Sequence, residues 1–123
     1  MWQRAEDLQA WQEGRHLTQM IYAASKGIKF SRDFALRDQI RRAAISITSN
    51  IAEGYERNSD KQFCYFLSIA KGSASEVRSQ LYVALDEAYI DRQKFDTLYE
   101  QASRTIGKIG GLIHYLERRK KLK

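Results

Sequence analysis

The sequence predicts an all-α protein, an antiparallel up-and-down four-helix bundle, on three observations. Apolar residues recur every three or four positions through four long windows, the spacing that lines one face of a helix. No window of strand length alternates valine, isoleucine and threonine with polar residues, as a half-buried strand does. The chain has no proline, so no position removes a helical N–H. At 123 residues the chain fits one domain, 1–123, and buries about two thirds of the surface its unfolded form exposes. No metal or disulfide is needed to hold it.

The elements follow in order. The first helix is expected from about Glu6 to Lys26, with Leu8, Trp11, Leu17, Ile21, Ala24 and Ile28 forming its stripe and Gly27 placed as a C-terminal stop. A loop, Lys29-Phe-Ser-Arg-Asp33, separates it from a second helix over about Phe34 to Glu53, ended by Gly54. The third helix starts at Ser59 as N-cap with Gln62 three residues on, a capping-box pattern. Its stripe runs Phe63, Phe66, Leu67, Ala70, Ala74, Val77, Leu81, Ala84, Leu85, Ala88. The fourth begins after Asp91, another N-cap, and carries Phe95, Leu98, Ala102, Ile106, Ile109, Ile113 and Leu116. Short loops between long helices make antiparallel neighbours.

Charge is concentrated at one end. The net charge is +6 and the pI about 9.5, which invites a polyanion partner. Residues 91–123 carry nine basic and four acidic side chains, and the rest of the chain is almost balanced. Five of those nine, Arg118, Arg119, Lys120, Lys121 and Lys123, form a basic tail over 118–123. Cations at a helix C-terminus favour the macrodipole and often fray into solvent. Five within six residues exceed what capping requires, so a salt-dependent attraction to nucleic-acid backbone is the reading preferred for the tail. One cysteine, Cys64, excludes an internal disulfide framework and suits a reducing compartment. The N-terminus lacks the charged start and apolar run of a secretory signal, and no segment approaches the ~20 apolar residues of a membrane span. A cytoplasmic protein without membrane contact is expected.

A step of about 100° per residue places some apolar residues away from the core stripes. Ile45 and Ala52 project almost opposite the core of the second helix, and Tyr65, Ile69 and Val83 lie off the core stripe of the third. A helix apolar on two sides is usually covered on both, so these five residues are expected to line a homo-oligomer interface, against the alternative of chance exposure.

Certain residues recur in a known order: Asp7-Leu8 with Ala10-Trp11, Gln39-Ile-Arg-Arg-Ala-Ala44, Ser46-Ile47, Asn50-Ile-Ala-Glu-Gly54, Phe63 with Phe66-Leu67, Ile69-Ala70, Gly72-Ser73, and Glu76 with Gln80-Leu81. In this order the chain resembles the bacterial four-helix-bundle family that includes the 23S rRNA intervening-sequence proteins and the accessory protein of diversity-generating retroelements. The likeness spans the first three helices, and the fourth matches only in pattern. Two positions depart, with Ser31 and Thr48 where the family usually has proline; the fold should survive, with the second helix straighter or altered at its ends. The resemblance implies a non-enzymatic protein that assembles into a ring, typically a homopentamer. In the retroelement branch it implies binding to nucleic acid and to a reverse transcriptase.

The motif residues have two readings. Arg42, Asn50 and Glu53 share a polar flank of the second helix with Gln39 and Ser46, which suits a nucleic-acid or partner contact. The preferred reading is structural: Asn50 and Glu53 tie the helix to its neighbours, with Arg42 or Arg78 as partner for Glu53, because buried polar groups must find partners and a carboxylate contributes nothing to phosphate binding. Gly54 is then required for a left-handed stop. Arg37 and Arg41, on another flank, either present guanidinium groups to phosphates or form a solvated face with Asp33 and Asp38. No aromatic platform is seen among these arginines, so single-strand stacking is not indicated.

Catalysis has little to work with. Glu13 and His16 match the Glu-x-x-His spacing of di-iron bundles, but the position three before His114 is Gly111, and such sites need a second copy. No metal and no cofactor are expected. Neither a phosphate-binding glycine loop nor a nucleophile elbow is present; Gly107, Gly110 and Gly111 fall inside the fourth helix. The sequence thus indicates a homo-oligomeric accessory protein that binds RNA or DNA backbone, to which the resemblance adds a protein partner such as a reverse transcriptase. A protein–protein scaffold indifferent to nucleic acid is the alternative.

Overall fold

The computed structural model describes the backbone of residues 1–121 and the side chains through Arg119. A 3-10 turn at Ala5–Asp7 leads into α1 (Gln9–Ser25), a short α2 (Ile28–Arg32), α3 (Phe34–Tyr55), α4 (Asp60–Asp86) and α5 (Arg92–Lys121), with no strand among the described residues. Side-chain caps start the three longest helices. Asp33 Oδ1 accepts from the Leu36 N–H at 3.1 Å, Ser59 Oγ from Gln62 at 3.2 Å and Asp91 Oδ1 from Lys94 at 2.7 Å, each satisfying an N–H that has no partner within its helix.

Neighbouring helices run antiparallel, as the order of their contacts shows. Gly14 and Thr18 of α1 meet Ile47 and Ala44 of α3. Ser46 and Gly54 of α3 meet Ser73 and Phe66 of α4. Asp60, Lys71 and Arg78 of α4 meet Arg119, Gly110 and Ser103 of α5. Helix α5 closes the bundle on α1, where Gln101 Nε2 donates to Glu13 Oε1 at 2.8 Å and to the Glu13 carbonyl at 3.1 Å, and Thr105 Oγ1 to the same carbonyl at 3.3 Å. Leu17, Ile40, Ile47, Leu67, Leu81 and Leu98 are fully buried at the centre. Burying each such side chain contributes about 1.5–3 kcal/mol.

Several expectations are corrected. The segment after Gly27 is helix α2 rather than a loop, because Phe30 is driven into the core and the Ser31 N–H closes a turn on the Gly27 carbonyl at 2.8 Å. A proline at 31, lacking that N–H, would not make the bond. Gly27 precedes α2 with φ −55° and ψ 150°, so it interrupts the helix in extended rather than left-handed geometry. Ile28 is consequently exposed instead of lying in the core.

Gly54 does not form a left-handed stop: α3 continues to Tyr55, and no described glycine has positive φ. Its small size serves helix packing instead. A Cβ there would lie 2.8 Å from Phe66 Cβ and 3.0 Å from Phe63 Cδ1. The left-handed residue is Ala88, φ 60°, which stands just past α4 and is exposed rather than in the core stripe. Its own N–H bonds the Leu85 carbonyl at 3.0 Å and the Tyr89 N–H bonds the Ala84 carbonyl at 2.9 Å, the pair of bonds that usually closes a helix around glycine. Finally, the basic tail is helical through Lys121 and belongs to α5.

Candidate nucleic-acid interface

Helices α1 and α3 pack side by side and leave one outer strip. Residues Trp11 and Tyr22 are eleven apart, three helical turns, and so share a face of α1. Tyr22 meets Arg41 of α3, whose guanidinium lies 4.6 Å from the ring centroid while its Nε donates to Ser25 Oγ at 2.8 Å. On the same strip Arg15 sits 5.9 Å over Trp11 and Arg37 sits 4.9 Å over Phe34. Such pairs hold a guanidinium against a ring by its quadrupole, worth about 0.5–1 kcal/mol at exposed sites.

The charges on this strip are unequal. Arg37 Nε donates to Asp38 Oδ1 at 2.9 Å and Nη1 to the Ser31 carbonyl at 3.1 Å. The Arg37 hydrogen bond, followed by the charges of Arg37, Arg42 and Arg41, holds the Asp38 carboxyl below its ordinary value. Neither Arg15 nor Arg41 is in an ion pair among the described residues. The two arginines singled out from sequence are thus brought onto one face, but one is neutralised and one is not. The aromatic platform that the sequence did not reveal is supplied by Trp11, Tyr22 and Phe34. Spacings of four for Trp11/Arg15 and three for Phe34/Arg37 carried a readable signal; the Tyr22–Arg41 pair is tertiary and carried none.

At the other end of the bundle Arg119 is committed to structure. It grips Asp60 bidentately, Nη2 to Oδ1 at 2.7 Å and Nε to Oδ2 at 3.1 Å, with its guanidinium 5.5 Å over Tyr115. The Asp60 hydrogen bond raises its pKa further above an already high value. Arg119 is therefore withdrawn from the free basic set expected of the tail, because antiparallel packing sets the last turns of α5 beside the first residue of α4. Arg118 is exposed. The side chains of Lys120 and Lys121, and all of Lys123, lie outside the described residues.

The five apolar residues expected at an interface fall on two surfaces. Tyr65 and Val83, 63% and 44% exposed, lie with Ile69 on the outer side of α4. Ile45, 43% exposed, and the half-buried Ala52 lie on the outer flank of α3 that also carries Arg41, towards α1. Between the two surfaces runs a polar seam. Asn50 Nδ2 donates to the Ser46 carbonyl at 2.8 Å and to Ser46 Oγ at 2.9 Å, and Ser73 Oγ donates to Ser46 Oγ at 3.0 Å. Asn50 thus acts on its own helix, and Ser46 and Ser73 make the bridge to α4. Glu53 pairs with Arg57 at 3.2 Å, not with Arg42 or Arg78. Arg57 is one turn further along the same face, whereas Arg78 crosses to Ser103 and the Tyr99 ring of α5 and Arg42 is exposed.

Among the described residues no group of three or more His, Cys, Asp or Glu side chains is placed to hold a metal ion, and no helix is long and apolar enough to cross a membrane. Glu13 is instead taken up by Gln101.

These features define a class: a small all-helical bundle whose polar and apolar outer faces are its chemically distinctive surfaces. The chain belongs to the 23S rRNA-intervening sequence protein family, whose profile matches residues 6–111. Its fold is similar to a crystal structure of a protein of unknown function from the S23 ribosomal protein family of Bacteroides thetaiotaomicron, with a TM-score of 0.77 at 20% identity over 85% of this chain and 97% of that one. No curated protein matches significantly.

Proposed function

We propose that this protein is a non-enzymatic accessory protein that self-associates through the outer side of α4 and binds nucleic acid through the α1–α3 strip, aided by Arg118. One observation carries the binding half: the exposed Arg15 and the half-buried Arg41 are held on aromatic rings and are in no ion pair among the described residues. A guanidinium fixed in place loses less entropy when it meets a phosphate than a free one does. Tyr65, Ile69 and Val83 support the assembly half, since α4 is apolar on two sides.

Fluorescence anisotropy with labelled RNA and DNA tests the binding. With Arg15, Arg41 and Arg118 as three phosphate contacts, affinity falls roughly 20-fold for a single strand and roughly 40-fold for duplex DNA between about 50 and 200 mM salt. Arg15→Ala with Arg118→Ala reduces that dependence. Indifference to both polyanions at low salt refutes the reading. Light scattering tests the assembly: an oligomer that Tyr65→Glu dissociates is expected, and a monomer at micromolar concentration refutes it.

A further inference from the structure

We infer that the α1–α3 strip takes an unpaired nucleic-acid strand, with bases stacked on its rings and phosphates at its arginines; this rests on the nucleic-acid reading above and narrows it. Phe34 is 65% exposed, a large apolar ring at the start of α3 that carries the Arg37 guanidinium 4.9 Å from its centroid and is otherwise open to solvent. Trp11 and Tyr22 are half-buried along the same strip, and Ile45, on the flank of α3 that carries Arg41, is exposed. Rings exposed beside arginines contribute nothing to a duplex, whose bases already cover one another. On an unpaired strand each stacked base is worth about 1–3 kcal/mol.

Charge density points the same way. From Phe34 to Ile51, where α3 runs beside α1, the strip is about 25 Å long at 1.5 Å per residue. Duplex DNA carries one charge per ~1.7 Å, so about 15 negative charges span that length. The strip opposes them with two arginines in no ion pair among the described residues, Arg15 and Arg41, and sets Asp33 and Asp38 nearby, the latter within reach of the Arg41 charge. A stacked single strand places about seven nucleotides in the same length, at ~3.4 Å each, and halves the charge to be met. Rings make up the difference.

The test is anisotropy of the full chain at 50 mM salt with three labelled probes: 20-nucleotide oligo(U), 20-nucleotide oligo(dT) and a 20-base-pair duplex. At least one strand is expected to bind tenfold or more tighter than the duplex, and the two strands separate RNA from DNA preference. Phe34→Ala, at an exposed position where helicity is expected to persist, weakens strand binding about 5- to 30-fold and changes duplex binding less than twofold. In a Trp2→Phe background, strand binding quenches Trp11 emission. Equal or tighter binding of the duplex, or a Phe34→Ala protein that holds the strands as before, overturns the single-strand assignment and leaves the broader reading standing. Absence of binding to all three probes overturns both.

Discussion

Replacing Gly54 by alanine separates two accounts of the most recognisable motif in the chain. If the glycine served a left-handed stop, asparagine would be its mildest replacement, since it tolerates that conformation better than alanine. Gly54 instead lies in α3 at the point where α4 comes closest. An added Cβ would meet Phe66 Cβ at 2.8 Å, Phe63 Cδ1 at 3.0 Å and the Phe63 carbonyl at 3.2 Å. Two of these three are fixed by the α4 backbone, so relief requires the helices to separate by several tenths of an ångström. Overpacking of this kind costs about 1–3 kcal/mol. Alanine recovers at most ~1 kcal/mol of helix propensity, and less so near a helix end. The net is a loss of about 1–2 kcal/mol, a Tm fall of roughly 4–10 °C for a domain of this size. Asparagine, bulkier at the same contact, should cost more. Thermal and urea unfolding followed by circular dichroism measure both. A Gly54→Ala protein as stable as the parent, or a Gly54→Asn protein more stable than Gly54→Ala, refutes the packing account.

Ala88→Gly should stabilise the fold by about 0.5–1 kcal/mol, because a left-handed alanine costs ~1–2 kcal/mol that glycine avoids, less the greater entropy glycine loses on folding; urea midpoints report it. Asp60→Asn removes the charge partner of Arg119 and should cost about 1 kcal/mol, with a smaller deficit in high salt; hydrogen exchange in the last turns of α5 should quicken. Tyr89 donates to Asp33 Oδ2 at 2.9 Å, and that bond, then burial and nearby negative charge, raises its pKa above 10.0. The folded state therefore holds this proton more tightly than the unfolded one, so the contribution is present below pH 10.0 and is lost as pH rises through the folded value. Tyr89→Phe should be less stable at neutral pH and flatter in that alkaline range. Asp7 behaves oppositely. Its carboxyl is held below 3.8, chiefly by the Gln3 N–H and then by Arg4, and its contribution is present above that value and lost as pH falls through the folded value. Asp7→Asn should blunt acid unfolding.

What was legible in the sequence was what one helix can say about itself. The stripe of α4 up to Leu85, and the caps at Ser59 and Asp91, depend on residues within a turn or two of each other, and the structure matches them. What required the fold was contact between helices. Gly54 and Gly27 are both glycines at helix boundaries, yet one answers to a neighbouring helix and the other to an extended bend, and periodicity does not distinguish them. Arg119 looked like one more free cation until Asp60, 59 positions earlier, came alongside. Arg41 likewise acquired its ring from a different helix. The partner of Glu53 was misread for the opposite reason: a local salt bridge to Arg57 was available, and a longer-range one was expected.

The Asp33 carboxylate is divided between two tasks. One oxygen caps α3 through Leu36 and the other receives the Tyr89 hydroxyl from the turn after α4. Two connections that are distant along the chain therefore share a single fastening at this pole of the molecule. Loosening either strains the other, so amides at 34–36 and at 88–90 should open together as one cooperative unit, and a ligand gripping Phe34 would quieten a turn more than fifty residues away.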